Sequence, residues 1–160
     1  MFDYIFGLPM HALVIHAVVV LVPLSALVAI AFAVRPVWRH ALRWPVAIGG
    51  VVSGVTAFVA AESGEALERR VTQVRAGTTD LDLLHEHVEW GDRAKLACLF
   101  FMALCLVAAW FLRTPDDDQP GRRRLEVALA TLLVLSALAA LITVVLAGHA
   151  GARVTWAGLG

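Results

Sequence analysis

The side chains in this sequence best able to do chemistry are its histidines. Five of the six, His11, His16, His85, His87 and His149, map to the outer half of a plan of four membrane spans, and only His40 falls in a loop expected inside, among arginines. An ionisable or metal-binding side chain is costly in hydrocarbon, so a histidine placed there marks a candidate site. His16 stands seven residues beyond Pro9, about 10 Å down a helix, with apolar neighbours on both sides. His11 is five residues earlier and about 140° round the same helix, so the two serve different partners. Continuing from His87 at helical spacing gives Gly91, Ala94, Cys98, Met102 and Cys105, a stripe of small and soft side chains below one imidazole. Such a stripe makes room for a flat cofactor or lets helices pack closely, as Gly50 and Gly54 do in a GxxxG pattern. His149 lies in GHAGA, between Gly148 and Gly151, where the backbone can bend around a neighbour or the ring can bond a carbonyl. His85 points nearly opposite His87 on a helix and has the weakest claim.

Carboxylates are the second resource. The segment AESGEALERR places Glu62 and Glu65 one turn apart, with Arg69 and Arg70 a turn further on. These acids suit a metal shell or a proton relay, and equally a solvated helix end with intrahelical ion pairs. Ser53, Thr56, Ala60 and Ser63 share a face that suits a polar cavity or hydrogen bonds between helices. No nucleophile elbow, phosphate-binding glycine loop or zincin motif is present.

Three readings of this inventory follow. The first is a membrane redox protein binding b-type haem, which needs imidazole nitrogens, apolar walls and small residues beside the ring. Its axial pairs would be His16 with His87, then His11 with His149, and it would exchange electrons with quinol or quinone, or with an extracytoplasmic redox protein. The second is a zinc, copper or iron site in which Glu62 or Glu65 completes a histidine shell. The third has no cofactor: the histidines are structural, and the helices bind lipid and anchor a larger membrane complex.

The elements that must position these residues are apolar. The 160 residues are 60% hydrophobic and 16% charged, with a mean hydropathy of +0.79, too apolar for a soluble domain of this size. Stretches 5–34, 44–61, 96–112 and 127–148 contain no Asp, Glu, Lys or Arg, and about 20 such residues cross a bilayer. The expected fold is all-α, an integral membrane four-helix bundle forming a single transmembrane domain over residues 1–160. Its helices fall at about 8–34, 44–66, 81–112 and 125–149, the third prolonged outward by an amphipathic segment from about Asp80. The four motif-bearing segments carry no repeat strong enough to argue for duplicated hairpins.

Arginine sets the expected orientation. Arg35, Arg39 and Arg43, and then Arg113, Arg122, Arg123 and Arg124 around Asp116, Asp117 and Asp118, mark loops 35–43 and 113–124 as cytoplasmic. The longer 62–95 connection is rich in acids and, with both termini, is extracytoplasmic. Trp38, Trp44 and Trp110 suit the inner interface, and Tyr4, Trp90 and Trp156 the outer one. Among the prolines, Pro9 suits the first turn of helix 1, Pro36 closes it, Pro45 opens helix 2, Pro23 interrupts helix 1, and Pro115 and Pro120 keep the third loop from becoming helix. The amino end lacks the basic region of a cleavable signal peptide, so the first span is retained. Cys98 and Cys105, seven residues apart on one helix, are too distant to pair. A net charge of zero with no lysine-rich aromatic patch argues against nucleic acid as a partner.

Four motifs in order, GLPMHALVIHAVVVLVPL, AESGEALE, EHVEWGD and GHAGARVTW, resemble those of a bacterial membrane family filed as a domain of unknown function, DUF 2231. The likeness covers nearly the whole chain. It implies a four-helix membrane domain with histidines near one face, and points to His11, His16, His87 and His149, with Ser63 and Gly64 in the helix 2 motif. Gly91 lies within the third motif and His85 stands immediately before it. Met10 stands where the family commonly has proline, and His85 is an additional histidine beside the motif.

Overall fold

The computed structural model describes residues 4–5, 8–74, 81–112 and 120–156. Two short antiparallel strands, β1 (Tyr4–Ile5) and β2 (Leu8–Pro9), precede four long helices: α1 (Met10–Val34), α2 (Arg39–Val74), α3 (Leu81–Phe111) and α4 (Pro120–Trp156). Each helix contains a window long and apolar enough to cross a membrane. Consecutive helices run antiparallel, and α1 also packs on α4, which closes a four-membered ring with α1 diagonal to α3 and α2 diagonal to α4.

The distribution of side-chain size identifies lipid as the solvent. Small residues fill the interior: Ala26, Ala29, Ala108, Ala137 and Ala140 are completely buried. Large apolar residues such as Leu24, Leu27, Phe100, Leu135 and Ile142 are exposed. Small inward faces let helices approach where no hydrophobic effect drives them together. The closest approach joins α2 to α3: a Cβ added at Gly50 would lie 2.5 Å from Cys105 Cβ, and one at Gly54 2.8 Å from Met102 Sδ. The lower part of the stripe beneath His87 is therefore filled by α2. Only its upper part, Gly91 and Ala94, borders open space.

Several boundaries differ from expectation for identifiable reasons. Residues 8 and 9 belong to β2, so Pro9 precedes helix 1 and does not occupy its first turn. Arg35, held at φ −123° and ψ 86° before Pro36, ends α1 because proline excludes the residue ahead of it from the helical region. A single 3₁₀ turn, Pro36–Trp38, then feeds directly into α2, so Pro45 lies inside that helix instead of opening it. Pro120 is likewise the first residue of α4, where its missing N–H costs nothing. Arg113, Pro115, Asp116, Asp117 and Asp118 lie outside the described residues, as does Arg75.

Not only α3 but also α2 and α4 outgrow the bilayer. The 36 residues of α2 extend about 54 Å against about 30 Å of hydrocarbon. Their polar ends are laced together by charge: Arg153 makes a two-oxygen contact with Glu86 at 3.0 and 2.8 Å, and Glu65 pairs with Arg69 on the same helix at 3.7 Å. At the opposite end, Arg39 Nη1 meets Glu126 at 3.2 Å and joins α2 to α4, while Arg43 Nε donates to the Ala109 carbonyl near the end of α3. Trp38, Trp44 and Trp110 are exposed at that end, with Arg35 over the Trp38 ring and Arg43 over the Trp44 ring.

A histidine cavity between the four helices

Antiparallel helices bring the start of α1, the C-terminal part of α2, the start of α3 and the end of α4 to one end of the bundle. A cavity of about 910 Å³ lies there and is lined by all four. His11 from α1 and His87 from α3 reach it from diagonal helices. Their ring centres are 6.1 Å apart and their planes are inclined at 74°.

Each ring is held in the same way. His11 Nδ1 lies 2.9 Å from the Ala60 carbonyl oxygen of α2, and His87 Nδ1 lies 3.1 Å from that of Ala147 on α4. A carbonyl can only accept, so each Nδ1 carries the proton. In the neutral ring, Nε2 is then left as the unprotonated nitrogen, the tautomer typical of a metal-ligating histidine braced through its other nitrogen. Both rings also lie close against a glycine, with Cε1 and Nδ1 nearest. A Cβ on Gly64 would be 3.0 Å from His11 Cε1, and one on Gly151 2.9 Å from His87 Cε1. Ser63 donates to the same Ala60 carbonyl at 3.0 Å and helps fix that acceptor.

The other sequence candidates are placed differently. His16 lines the cavity one turn and a half deeper, but it is exposed and its Nδ1 is bonded to Ala12 of its own helix at 2.6 Å. The structure thus sets His11, not His16, beside His87, because His11 matches its depth. His149 is exposed and lies apart from the cavity lining, so it does not join His11. His85 is also exposed, 4.0 Å from Glu68. Gly91 lines the cavity, with nothing within 4 Å of an added Cβ. Glu62 and Glu65 converge on Lys95, at 3.5 and 3.8 Å, and Asp92 joins them at 3.0 Å, so these carboxylates are already engaged by a cation. Among the described residues, no group of three or more His, Cys, Asp or Glu converges as a metal shell. Thr56 and Ser63 bond to their own helix, not across to another.

Sequence reasoning missed the two carbonyls and the matching role of Gly151. The available signal was the spacing Ala60 to Gly64 and Ala147 to Gly151, the same four-residue step on two helices.

The fold and its solvent-facing chemistry define a multi-pass, all-α membrane protein with four candidate spans. The chain belongs to the family described as predicted membrane protein, DUF2231, which it matches over residues 7–158. Neither the curated proteins nor the solved structures searched provide a match.

Proposed function

We propose that this protein is a membrane redox carrier that holds b-type haem in the histidine cavity and exchanges electrons with quinol or an extracytoplasmic redox protein. The observation that carries the reading is the His11–His87 pair, two imidazoles from diagonal helices, each with Nδ1 tied to a carbonyl. Imidazoles on opposite sides of one metal ion, at bond lengths of about 2 Å, have ring centres about 6 Å apart, against the 6.1 Å found here. A porphyrin brings its own four equatorial nitrogens, so it needs only two donors from the protein, and His11 and His87 both line the cavity. A bare zinc or copper ion would need more ligands than the two imidazoles, and of the carboxylates that line the cavity Glu65 and Asp92 contact Lys95 while Glu68 faces His85 at 4.0 Å.

In this reading His11 and His87 supply the iron ligands, and the Ala60 and Ala147 carbonyls orient them. Small residues, Gly91, Ala94 and Gly148, leave space for the ring. Bound haem would supply one-electron transfer, and the apolar walls would exclude water from it. The test is a dithionite-reduced minus oxidised spectrum of detergent-purified protein made with adequate haem, paired with total metal analysis. A sharp b-type band is expected. A colourless protein with stoichiometric metal would favour the His/Glu site, and one with neither would favour a structural subunit of a larger complex.

The arginine-rich loops support an orientation with segments 35–43 and 113–124 in the cytoplasm of a bacterial plasma membrane, and the histidine cavity and both termini outside. Single cysteines at Gly158→Cys and Val37→Cys, in a background lacking Cys98 and Cys105, test it. A membrane-impermeant thiol reagent applied to spheroplasts should label the first only. Labelling of the second alone would reverse the orientation.

A further inference from the structure

His87 stands 76 residues after His11, and Ala147 and Gly151 stand 87 residues after Ala60 and Gly64. These two offsets extend well beyond the histidines. Every α1 residue that lines the cavity has a counterpart 76 places on in α3 that lines it too. Every cavity-lining residue of α2 up to Glu68 has one 87 places on in α4. Most of the core follows the same rule: buried Val18, Val22, Ala29 and Phe32 correspond to buried Ala94, Cys98, Cys105 and Ala108, and Val46, Ser53 and Ala57 to Leu133, Ala140 and Val144, while the counterparts of buried Ala26 and Phe101, Met102 and Ser25, are half-buried. Thr56 and Thr143, also counterparts, both donate to the carbonyls three and four residues back.

We infer that the bundle is two equivalent helical hairpins, α1–α2 and α3–α4, related by a pseudo-two-fold axis along the bundle, and that the cavity on this axis presents two equivalent imidazoles to opposite faces of one planar metal centre. Both hairpins begin at the same end of the bundle, so the repeat is parallel rather than inverted, and such repeats place their ligand sites where the halves meet. Haem held there would have both axial positions taken by protein nitrogens, each imidazole braced through Nδ1 to a carbonyl of the neighbouring helix. That is the arrangement of an electron carrier rather than of a centre that opens one face to a small gaseous ligand. Arg39 and Glu126 occupy counterpart positions with opposite charges and pair with each other, which favours one hairpin of each kind over two copies of either.

The hairpin equivalence is independent of haem; the coordination rests on the haem reading above. Two measurements on the full chain separate them. In the first, Phe32 and its counterpart Ala108, both completely buried, are exchanged. F32A should lower the thermal midpoint in detergent, and the exchange F32A/A108F should recover most of the loss, because the ring returns at an equivalent place across the axis. An exchange no more stable than F32A overturns the equivalence. In the second, His11→Ala and His87→Ala are compared by electron paramagnetic resonance and optical spectra. Wild type should be low-spin, and both variants should become high-spin to the same extent, with added imidazole restoring both. If only one variant changes, the equivalent coordination is overturned while haem binding stands. If wild type takes up no haem, the haem reading and the coordination fall together, and the exchange result is untouched.

Discussion

Replacing Glu126 with glutamine should destabilise the bundle by about 3 kcal/mol, the lower end of the cost of breaking a buried ion pair. Arg39 is only 7% exposed and Glu126 20%. Arg39 is always protonated, so losing the carboxylate leaves a buried guanidinium without this counter-charge, and Arg39 Nε already has no hydrogen-bond partner among the described residues. Arg122, 3.5 Å from the same carboxylate, would then add repulsion where it now shares an anion. The cost is placed at the low end because Glu126 keeps some contact with solvent. Removing both partners together is a different experiment. Arg39→Met with Glu126→Leu replaces the pair by apolar residues of similar volume, and should recover much of the loss, since desolvation of both charges disappears with them. Thermal unfolding of the two single variants and the double variant in one detergent gives the coupling energy. If Glu126→Gln unfolds with wild type, the pair is not holding α2 to α4.

Much of this architecture is written in residue type, and what escaped was pairing. Four charge-free stretches locate four helices, because lipid tolerates little else, and GxxxG at Gly50 and Gly54 correctly signals a close helix contact. Helix ends were less legible. Pro45 reads as the opening of helix 2 and Pro120 as a barrier to helix, yet a proline's effect depends on which backbone bonds its position requires, and that is set by the preceding turn. The histidine end of the bundle follows from topology alone, whereas the choice of His11 over His16 follows from axial depth, which shifts with a few residues of helix start. Two glycines, Gly64 and Gly151, share a function that composition does not reveal, since glycine in a membrane helix more often serves close packing between backbones. The duplicated hairpin was hidden for a related reason. Its halves agree in depth, burial and bond pattern, while counterparts such as Val22 with Cys98, Phe32 with Ala108 or Arg39 with Glu126 share little side-chain chemistry. Lipid selects for small or apolar, and many residues satisfy that.

The seats of the two imidazoles should therefore be where a single added carbon has the largest effect on ligand binding. On the proposed haem reading, Gly151→Val is expected to lower haem affinity by at least about tenfold, the scale seen when groups that orient metal ligands are lost. An added Cβ alone would stand 2.9 Å from His87 Cε1 and 3.1 Å from Nδ1, closer than carbon and nitrogen normally approach, and valine adds two methyls to that. The ring must leave the Ala147 carbonyl, and with it goes the constraint that keeps the proton on Nδ1 and Nε2 free. Gly64→Val should do the same to His11 through Ala60. Alanine separates crowding from simple loss of glycine. At Gly64 the nearest ring atoms are at 3.0 and 3.1 Å, so Gly64→Ala needs only a small shift of the imidazole, whereas Gly151→Ala, slightly tighter, should weaken binding more. Haem titration of the four purified variants, followed by the absorbance of the bound form, reads this order directly. If both valine variants bound haem as tightly as wild type, neither imidazole would be held where the cavity needs it, and the ligands would have to be sought deeper, at His16.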